Sequence, residues 1–212
     1  MGNLKIDTVV VGPIQTNCYI VWNPSSKEAL VFDPGDNGPK IYEELNKKEL
    51  TLNAILLTHG HFDHINAATY LVNQTHAKTY ISRDEERLVT DANLNCSVMF
   101  GQPVNLTPDE FVKDRDILYF LDTQMKVIST PGHTSGSVCY YFEEDGILIS
   151  GDTLFFESCG RTDFPTGNAR QMSVTLEALV TQLKEDVAVY PGHGCATSIG
   201  YEKNNNPYID LR

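Results

Sequence analysis

Four potential metal ligands occupy six consecutive positions of the chain: His59, His61, Asp63 and His64. Imidazole nitrogens and carboxylate oxygens both bind divalent transition metals, so this density of donors predicts a metal centre. The segment follows an apolar run at residues 53–57 that reads as a buried strand, which places the donors in a strand-to-helix loop. In such a loop His59 and His61 could bind one ion while Asp63 and His64 bind a second.

Three further donors lie in separate loops, and each follows a strand-like apolar run. The donors are His133, Asp152 and His193. The runs that precede them are residues 124–129, 147–150 and 187–190. Open α/β sheets carry their chemistry at the edge where strands end, so these loops could complete the site. Seven donors exceed what one catalytic ion uses, and the pattern therefore predicts two metal ions.

The chemistry expected from a pair of metals is hydrolysis. Two divalent cations about 3.5–4 Å apart would lower the pKa of a shared water to roughly 7, which gives hydroxide at neutral pH. Asp63 and Asp152 are the candidate catalytic residues, since their two charges leave such a centre net positive and attractive to an anionic substrate. A thioester suits this site because a thiol with a pKa of about 8.5 can leave without a strong general acid. Ser135 and Ser137 are expected to brace their loop, because no Gly-x-Ser-x-Gly motif accompanies them.

The elements that must position these loops alternate between strands and helices. Further strands are predicted at residues 4–11, 18–22, 29–33 and 78–81. Helices are predicted at residues 38–48, 63–74, 83–90 and 169–183, where leucine and valine recur at three- and four-residue steps. Periodicity alone thus indicates an α/β fold. Residues 91–110 are polar and rich in turn residues, which predicts either a mobile flap over the site or a plain surface loop.

Composition narrows the class of protein. A chain of 212 residues can form one α/β domain with a sizeable core, so residues 1–212 are predicted to be a single domain. The formal net charge of -12 would repel phosphate backbones, which argues against nucleic acid as the partner. No apolar stretch is long enough to span a membrane and residues 1–11 lack a signal region, so a cytoplasmic location is expected.

The cysteines and the remaining histidine are expected to lie outside the metal chemistry. An odd number of cysteines without a C-x-x-C pair argues against a disulfide framework and fits a reducing compartment. Cys159 and Cys195 lie near the proposed site and could be reactive thiols, but a small buried apolar role is favoured for both, and none of the five cysteines is assigned to the metal. They are Cys18, Cys96, Cys139, Cys159 and Cys195. His76 lies near a predicted helix end without acidic neighbours and is interpreted as a surface residue.

The segment Thr58-His59-Gly60-His61-Phe62-Asp63-His64, with His133, Asp152 and His193, resembles the metallo-β-lactamase superfamily of hydrolases. The resemblance implies an αβ/βα sandwich of four layers, in which two mixed sheets are flanked by helices and the metals lie at one edge. It also implies a role for each donor. The first metal would be bound by His59, His61 and His133, the second by Asp63, His64 and His193, and Asp152 would bridge them.

Other stretches are similar to short hydroxyacylglutathione hydrolases of the glyoxalase II-like group. These are Asn17-Cys18-Tyr19, Asp33-Pro34-Gly35, residues 159–163 and residues 200–208. Asp33 would then support a histidine ligand, with a simple turn as the alternative. Longer members of the group add a C-terminal helical domain that helps to grip glutathione, whereas this sequence stops at Arg212. Glutathione binding is therefore expected to be weaker or different.

Differences from the longer hydroxyacylglutathione hydrolases also predict weaker or different glutathione binding. Arg161 stands where they have a lysine, and Asp163 and Cys195 stand where they have tyrosines. Arg161 is a candidate to pair with a substrate carboxylate, and an ion pair with Asp163 is the alternative.

The leading hypothesis is a dinuclear metal-dependent hydrolase that cleaves an anionic acyl thioester, S-2-hydroxyacylglutathione, by attack of a metal-bridging hydroxide. Zinc is the expected metal, and iron or manganese fits the same donors. One alternative is a mononuclear iron persulfide dioxygenase, which resembles this chain at residues 160–164 and would use His59, His133 and Asp152. A lactone hydrolase is another alternative. The alternative that requires no catalysis is a structural or regulatory module that binds metal. Structural metal sites, however, are usually closed and rich in cysteine.

Overall fold

Two six-stranded β-sheets lie face to face and carry helices on their outer surfaces. The computed structural model describes residues 3–100 and 102–210. The first sheet contains, in spatial order, β1 (Lys5–Val11), β2 (Thr16–Trp22), β3 (Glu28–Phe32), β4 (Thr51–Leu56), β5 (Lys78–Ser82) and β6 (Glu110–Val112). The second sheet has the order β14 (Thr197–Ser198), β13 (Ala188–Pro191), β10 (Ile147–Gly151), β9 (Val138–Phe142), β8 (Thr123–Ser129) and β7 (Ile117–Phe120). A separate two-stranded ribbon pairs β11 (Leu154–Phe155) with β12 (Ser158–Cys159).

The helices are short apart from one. They are α1 (Gly38–Lys47), α2 (Phe62–Ile65), α3 (Ala68–Thr75), α4 (Glu86–Thr90), α5 (Ala169–Gln182) and α6 (Ile199–Asn205). Two 3₁₀ turns lie at Arg83–Glu85 and Ser97–Phe100. Within residues 3–100 and 102–210, no helix has both the length and the apolar character that a bilayer crossing requires.

Three apolar clusters fill the spaces between four layers, and β3 shows how one strand serves two of them. Ala29 and Val31 pack in the cluster beneath α1 and α3, whereas Leu30 and Phe32 face the other sheet. Successive side chains of a strand point to opposite faces, so a strand buried on both faces is apolar throughout. A third cluster joins the second sheet to α5. The predicted αβ/βα sandwich is confirmed.

The eight predicted strands are all present, and their ends agree with the structure within two residues. The prediction omitted β6, β7 and β9 and the two-residue strands. The predicted helix over residues 63–74 is wrong as a single element, because α2 ends at Ile65 and α3 begins at Ala68. The Ala67 N–H donates to the Pro34 carbonyl at 2.8 Å instead of continuing the helix. The adjoining Gly35 lies so close to the Asp63 carbonyl that any Cβ would overlap it.

The segment predicted as a flap or loop, residues 91–110, is described except for residue 101, and it contacts the start of α2. Asn95 is buried, and its carbonyl oxygen accepts a hydrogen bond from the Phe62 N–H at 3.0 Å. The Leu106 N–H donates to the Val89 carbonyl at 3.1 Å, which secures the other end of the segment. Phe100 projects from the 3₁₀ turn and is 53% exposed. The segment is therefore anchored to the ligand-bearing helix, and its mobility stays a prediction.

Candidate metal centre

The seven predicted ligands meet at one edge of the sandwich because their strands end there. β4 of the first sheet leads into the loop with His59, His61, Asp63 and His64. In the second sheet β8 and β10 each pair antiparallel with β9, and β13 pairs parallel with β10. The ends of β8, β10 and β13 therefore lie on the same side, as the sequence predicted. They lead to His133, Asp152 and His193 respectively.

The donors form three overlapping groups, and within each group the donor atoms lie within 4.8 Å of one another. The first group is His59, His61 and His133, and the second is Asp63, His64 and His193. These are the two sets that the resemblance assigned to two metals. The third group is His59, His64 and Asp152, which draws members from both of the others.

Asp152 lies between the first two groups. Its Oδ1 is 3.4 Å from His64 Nε2, and its Oδ2 is 3.5 Å from both His133 Nε2 and His193 Nε2. The carboxylate thus faces members of each set, which is the position that a bridging ligand requires.

Unpaired buried atoms show that these residues fit cations. His59 Nε2, His64 Nε2 and Asp152 Oδ1 are each buried without a hydrogen-bond partner in the described part of the chain. Buried polar atoms are nearly always paired, because an unmade hydrogen bond costs free energy. Lone pairs of imidazole and carboxylate that converge in this way fit divalent cations. The donor set, with nitrogen and oxygen atoms, suits zinc, iron or manganese.

Asp33 orients two of the histidines. Its Oδ2 accepts hydrogen bonds from His64 Nδ1 at 3.0 Å and from Thr58 Oγ1 at 2.7 Å, and its Oδ1 accepts from the Thr58 N–H at 2.8 Å. Since the Thr58 hydroxyl donates to Asp33, it accepts from His59 Nδ1, which lies 3.1 Å away. In its neutral form each imidazole therefore keeps its proton on Nδ1 and leaves the Nε2 lone pair facing the centre. The resemblance implied that Asp33 supports a histidine ligand, and its hydrogen bond with His64 has the geometry for that role.

His133 is oriented in the same way by the backbone. Its Nδ1 donates to the Arg161 carbonyl oxygen at 2.7 Å. The Nε2 atom is then left to face His61 Nδ1, which lies 2.9 Å away.

Of the two serines predicted to brace the loop around His133, Ser137 does so, because its hydroxyl lies 2.5 Å from the Thr134 hydroxyl in a hydrogen bond. The bond from Ser135 to the Thr166 hydroxyl is made by its backbone N–H.

The loop that carries His193 is held by β2 of the opposite sheet. Asn17 Nδ2 donates to the carbonyl oxygens of Pro191 and Gly194, both at 2.9 Å. Thr16 Oγ1 donates to Asp63 Oδ2 at 3.1 Å, and His193 Nε2 lies 3.4 Å from the same oxygen. Thr16 was not among the predicted site residues, since a threonine at the start of a strand carries no signal of its own.

The two principal groups differ in charge. Burial lowers the pKa of His59, and it lowers the pKa of His61 to about 3, so both imidazoles stay neutral. Burial also opposes protonation of His64, but the carboxylates of Asp152, Asp63 and Asp33 outweigh it and raise its pKa. Burial likewise disfavours the ionised forms of Asp63 and Asp152, yet His64 holds the pKa of each below its usual range. Without a metal ion, the carboxylates around the second group therefore favour a proton on His64, and a cation bound there would take the place of that proton.

A cavity of about 580 Å³ opens onto the donors. Five apolar side chains form much of its wall. None of them was a predicted site residue. They are Ile14, Phe62, Phe100, Phe155 and Phe164. Arg161 also lines the cavity, and its guanidinium pairs with both carboxylate oxygens of Asp163 at 2.7 Å. The ion pair that the sequence left as an alternative is thus formed.

The cysteines and His76 lie outside the three donor groups found in the described residues. All five cysteines are free thiols, and none belongs to a donor group in residues 3–100 and 102–210. Cys96 is buried at the cavity wall. Cys195 is exposed, so the buried role predicted for it is wrong, and Cys159 is only partly buried. His76 ends α3 on the surface, which confirms its interpretation.

Comparison with known proteins gives a family match and close relatives. A family model described as the metallo-beta-lactamase superfamily matches residues 11–193. The chain is similar to the probable metallo-hydrolase YqgX of Bacillus subtilis, with 37% identity over 98% of both chains. It is also similar to hydroxyacylglutathione hydrolase GloC of Haemophilus influenzae, with 30% identity over 99% of this chain and 100% of that one.

Solved structures agree with this match. BLEG-1, described as a B3 metallo-beta-lactamase, superposes with a TM-score of 0.92 and 36% identity, and the match covers 97% of this chain and 99% of that chain. TTHA1623 in a di-iron-bound form superposes with a TM-score of 0.86 and 30% identity, covering 96% of this chain and 100% of that chain.

Proposed function

The chain belongs to the metallo-β-lactamase superfamily, and from this premise we propose that it is a dinuclear metal-dependent hydrolase of acyl thioesters, with S-2-hydroxyacylglutathione as the expected substrate. The observation that carries the proposal is the position of Asp152 between two complete donor groups. A structural metal site would be closed by four ligands, whereas this one is shared and faces a cavity.

We assign each ion to a donor group. His59, His61 and His133 would hold the first ion, Asp63, His64 and His193 would hold the second, and Asp152 would serve both. When bound, two divalent ions would supply a hydrolytic nucleophile at neutral pH and Lewis acidity for a carbonyl oxygen. Zinc is the expected metal, and the di-iron form of TTHA1623 makes iron the alternative to test.

The chain's own residues would bind and orient the substrate. Phe62, Phe100 and Phe164 line the cavity beside the donors and would exclude water from a bound acyl group. A thioester needs no strong general acid on the leaving side, because a thiolate departs readily near neutral pH. The similarity to the hydrolase GloC over nearly the whole chain supports this substrate class.

Arg161 is the proposed contact for an anionic thiol. Its guanidinium stacks 3.8 Å from the Phe164 ring centroid at the cavity wall. Asp163 already occupies both of its forked donors, so a substrate carboxylate would have to share or displace that partner. Glutathione would consequently be gripped more weakly than by a free arginine.

Hydrolysis of S-lactoylglutathione tests the proposal. Loss of the thioester absorbance should require added Zn²⁺ or Fe²⁺ and should stop when a chelator removes the metal. The Asp152→Asn protein provides the control for contaminating activity, since it retains the cavity but has a poor bridging ligand. Absence of metal-dependent turnover with this compound and with other acyl thioesters would overturn the substrate assignment.

A second candidate is hydrolysis of a β-lactam amide, because BLEG-1 is 36% identical over almost the full length of both chains. The mononuclear persulfide dioxygenase is less well supported, since it would use three of the seven donors and leave the other four, His61, Asp63, His64 and His193, without a role. A panel of a thioester, a lactone and a β-lactam, together with oxygen uptake in the presence of glutathione persulfide, separates these activities.

A further inference from the structure

Glu85 is a buried carboxylate that lies between two ligand-bearing loops. It ends the 3₁₀ turn Arg83–Glu85 and is 0% exposed. Its Oε2 accepts a hydrogen bond from the Gly60 N–H at 2.8 Å, and its Oε1 accepts one from the Gly136 N–H at 2.9 Å. A single side chain thus connects two loops that are distant in sequence.

Each of these glycines adjoins metal donors of the first group. Gly60 separates His59 from His61, and Gly136 lies three residues after His133. The first loop follows β4 of one sheet, and the second connects β8 to β9 of the other. Glu85 therefore spans the junction between the sheets at the point where the first donor group is assembled.

The two loops approach residues 84–89 so closely that a Cβ at either glycine would force its neighbours to shift. A Cβ at Gly136 would lie 2.8 Å from Glu85 Oε1 and 2.7 Å from the Asp84 carbonyl carbon. A Cβ at Gly60 would lie 2.7 Å from Leu88 Cδ2 and 3.1 Å from the Val89 nitrogen. Both distances to backbone atoms are tighter than ordinary contacts, so the spacing of the loops depends on this segment.

The charge of Glu85 is not compensated by another side chain. In the part of the chain that the structure describes, no lysine, arginine or histidine forms an ion pair with it. Burial raises the pKa of Glu85, and hydrogen bonds from the Gly60 N–H, the Thr134 side chain and the Gly136 N–H oppose that rise. The carboxyl group is therefore held by the two loops rather than by a cationic side chain.

We propose that Glu85 is a positioning residue that sets the separation of the two loops carrying His59, His61 and His133, and so the affinity of this group for its metal ion. The inference rests on the proposed function to the extent that these histidines are taken as ligands. It also assigns a role to a residue that contacts neither metal donors nor substrate through its side chain.

Glu202 provides a matched control. It is also 0% exposed, and its carboxylate accepts hydrogen bonds from the Glu157 N–H at 2.9 Å and from Thr197 Oγ1 at 2.6 Å. Neither partner belongs to the loops that carry the first donor group. Glutamine has the size of glutamate but only one acceptor oxygen, so Glu85→Gln and Glu202→Gln remove comparable buried interactions.

The experiment is a Co²⁺ titration of the wild-type, Glu85→Gln and Glu202→Gln proteins against a competing chelator, with the visible spectrum recorded. For Glu85→Gln we expect the affinity for one of the two Co²⁺ ions to fall about tenfold or more, which is the loss typical of residues that support metal ligands. The visible spectrum of the bound Co²⁺ should change as well. Glu202→Gln should change both affinities by less than about threefold. A folded Glu85→Gln protein with both affinities within threefold of wild type overturns the inference alone. A wild-type protein that binds no metal overturns the proposed centre and this inference together.

If Glu85→Gln does not fold, amide hydrogen exchange in the wild-type protein tests the inference instead. In wild-type protein treated with chelator, the Gly60 and Gly136 amides should exchange slowly, since Glu85 accepts from both without the help of metal. Exchange of either amide at the rate of an exposed loop would show that Glu85 does not hold the loops.

Discussion

His61 Nδ1 lies 2.9 Å from His133 Nε2, although the two residues are 72 positions apart in the chain. His61 follows β4 of the first sheet and His133 follows β8 of the second. A metal ion that binds both would therefore connect the two halves of the sandwich. Metal binding and the stability of the fold should be coupled through this contact.

Removal of metal should lower the thermal stability. An ion present at about a thousandfold over its dissociation constant adds roughly 4 kcal/mol to the free energy of unfolding. For a chain of this size that corresponds to a melting temperature about 10 °C higher. Calorimetry of metal-loaded and chelated protein, followed by readdition of Zn²⁺, measures the difference. Identical melting temperatures in protein shown to contain metal would contradict this coupling.

Asp152→Asn should lower metal content and thioester hydrolysis together. A neutral amide bridges two cations poorly, and Asp152 faces both donor groups. We expect at least one ion per chain to be lost and the rate to fall by about a hundredfold or more. Elemental analysis and the thioester assay provide the measurements. Asp163→Asn, at an exposed carboxylate, is the control and should retain both ions.

Asp33→Asn should weaken metal binding about tenfold to a hundredfold, because it removes the acceptor that orients His64 and Thr58. Asp109→Asn is a suitable control. Asp109 accepts from the N–H and the hydroxyl of Thr79, both at 2.8 Å, as Asp33 does from Thr58, but it lies away from the centre. Equal metal affinities in the two variants would argue against the orienting role of Asp33.

Asp163→Ala should improve the use of an anionic thioester by releasing Arg161 from its ion pair. The pair is exposed, so the gain is expected to be modest, with KM for S-lactoylglutathione falling roughly two- to fivefold. Turnover of an uncharged thioester should not change, and the double variant with Arg161→Ala should lose the gain. An unchanged KM for the anionic compound would show that Arg161 does not contact the substrate.

Phe100→Ala should raise KM for thioesters with apolar acyl groups. The Phe100 ring stacks on Phe62 at 4.6 Å between centroids and forms part of the cavity wall. Loss of one aromatic contact of about 1 kcal/mol corresponds to roughly a fivefold change. Met99→Ala is the control, since Met99 is more exposed and is not among the lining residues. Equal effects of both substitutions would indicate a general disturbance of the segment.

The sequence alone was sufficient to predict the donors that the structure brings together and most of the strands that carry them. Histidine and aspartate at such density have few other uses, and strands buried on both faces read as continuous apolar runs. Local pattern also predicted the helix at Ala169–Gln182. It failed for the helix over residues 63–74, because the interruption is caused by a hydrogen bond from Ala67 to Pro34. A local sequence pattern cannot predict a hydrogen-bond partner that is so distant in the chain.

Only the tertiary structure decided how the donors are supported and what surrounds them. The bond from His133 to the Arg161 carbonyl and the bonds from Glu85 to two glycines join segments that touch only after the sheets pack. The apolar wall contributed by Phe100 has the same origin. The type of a residue restricts the chemistry that it can perform, but backbone carbonyls and shared contacts have no signature in the sequence. Their positions are set by the packing of the two sheets.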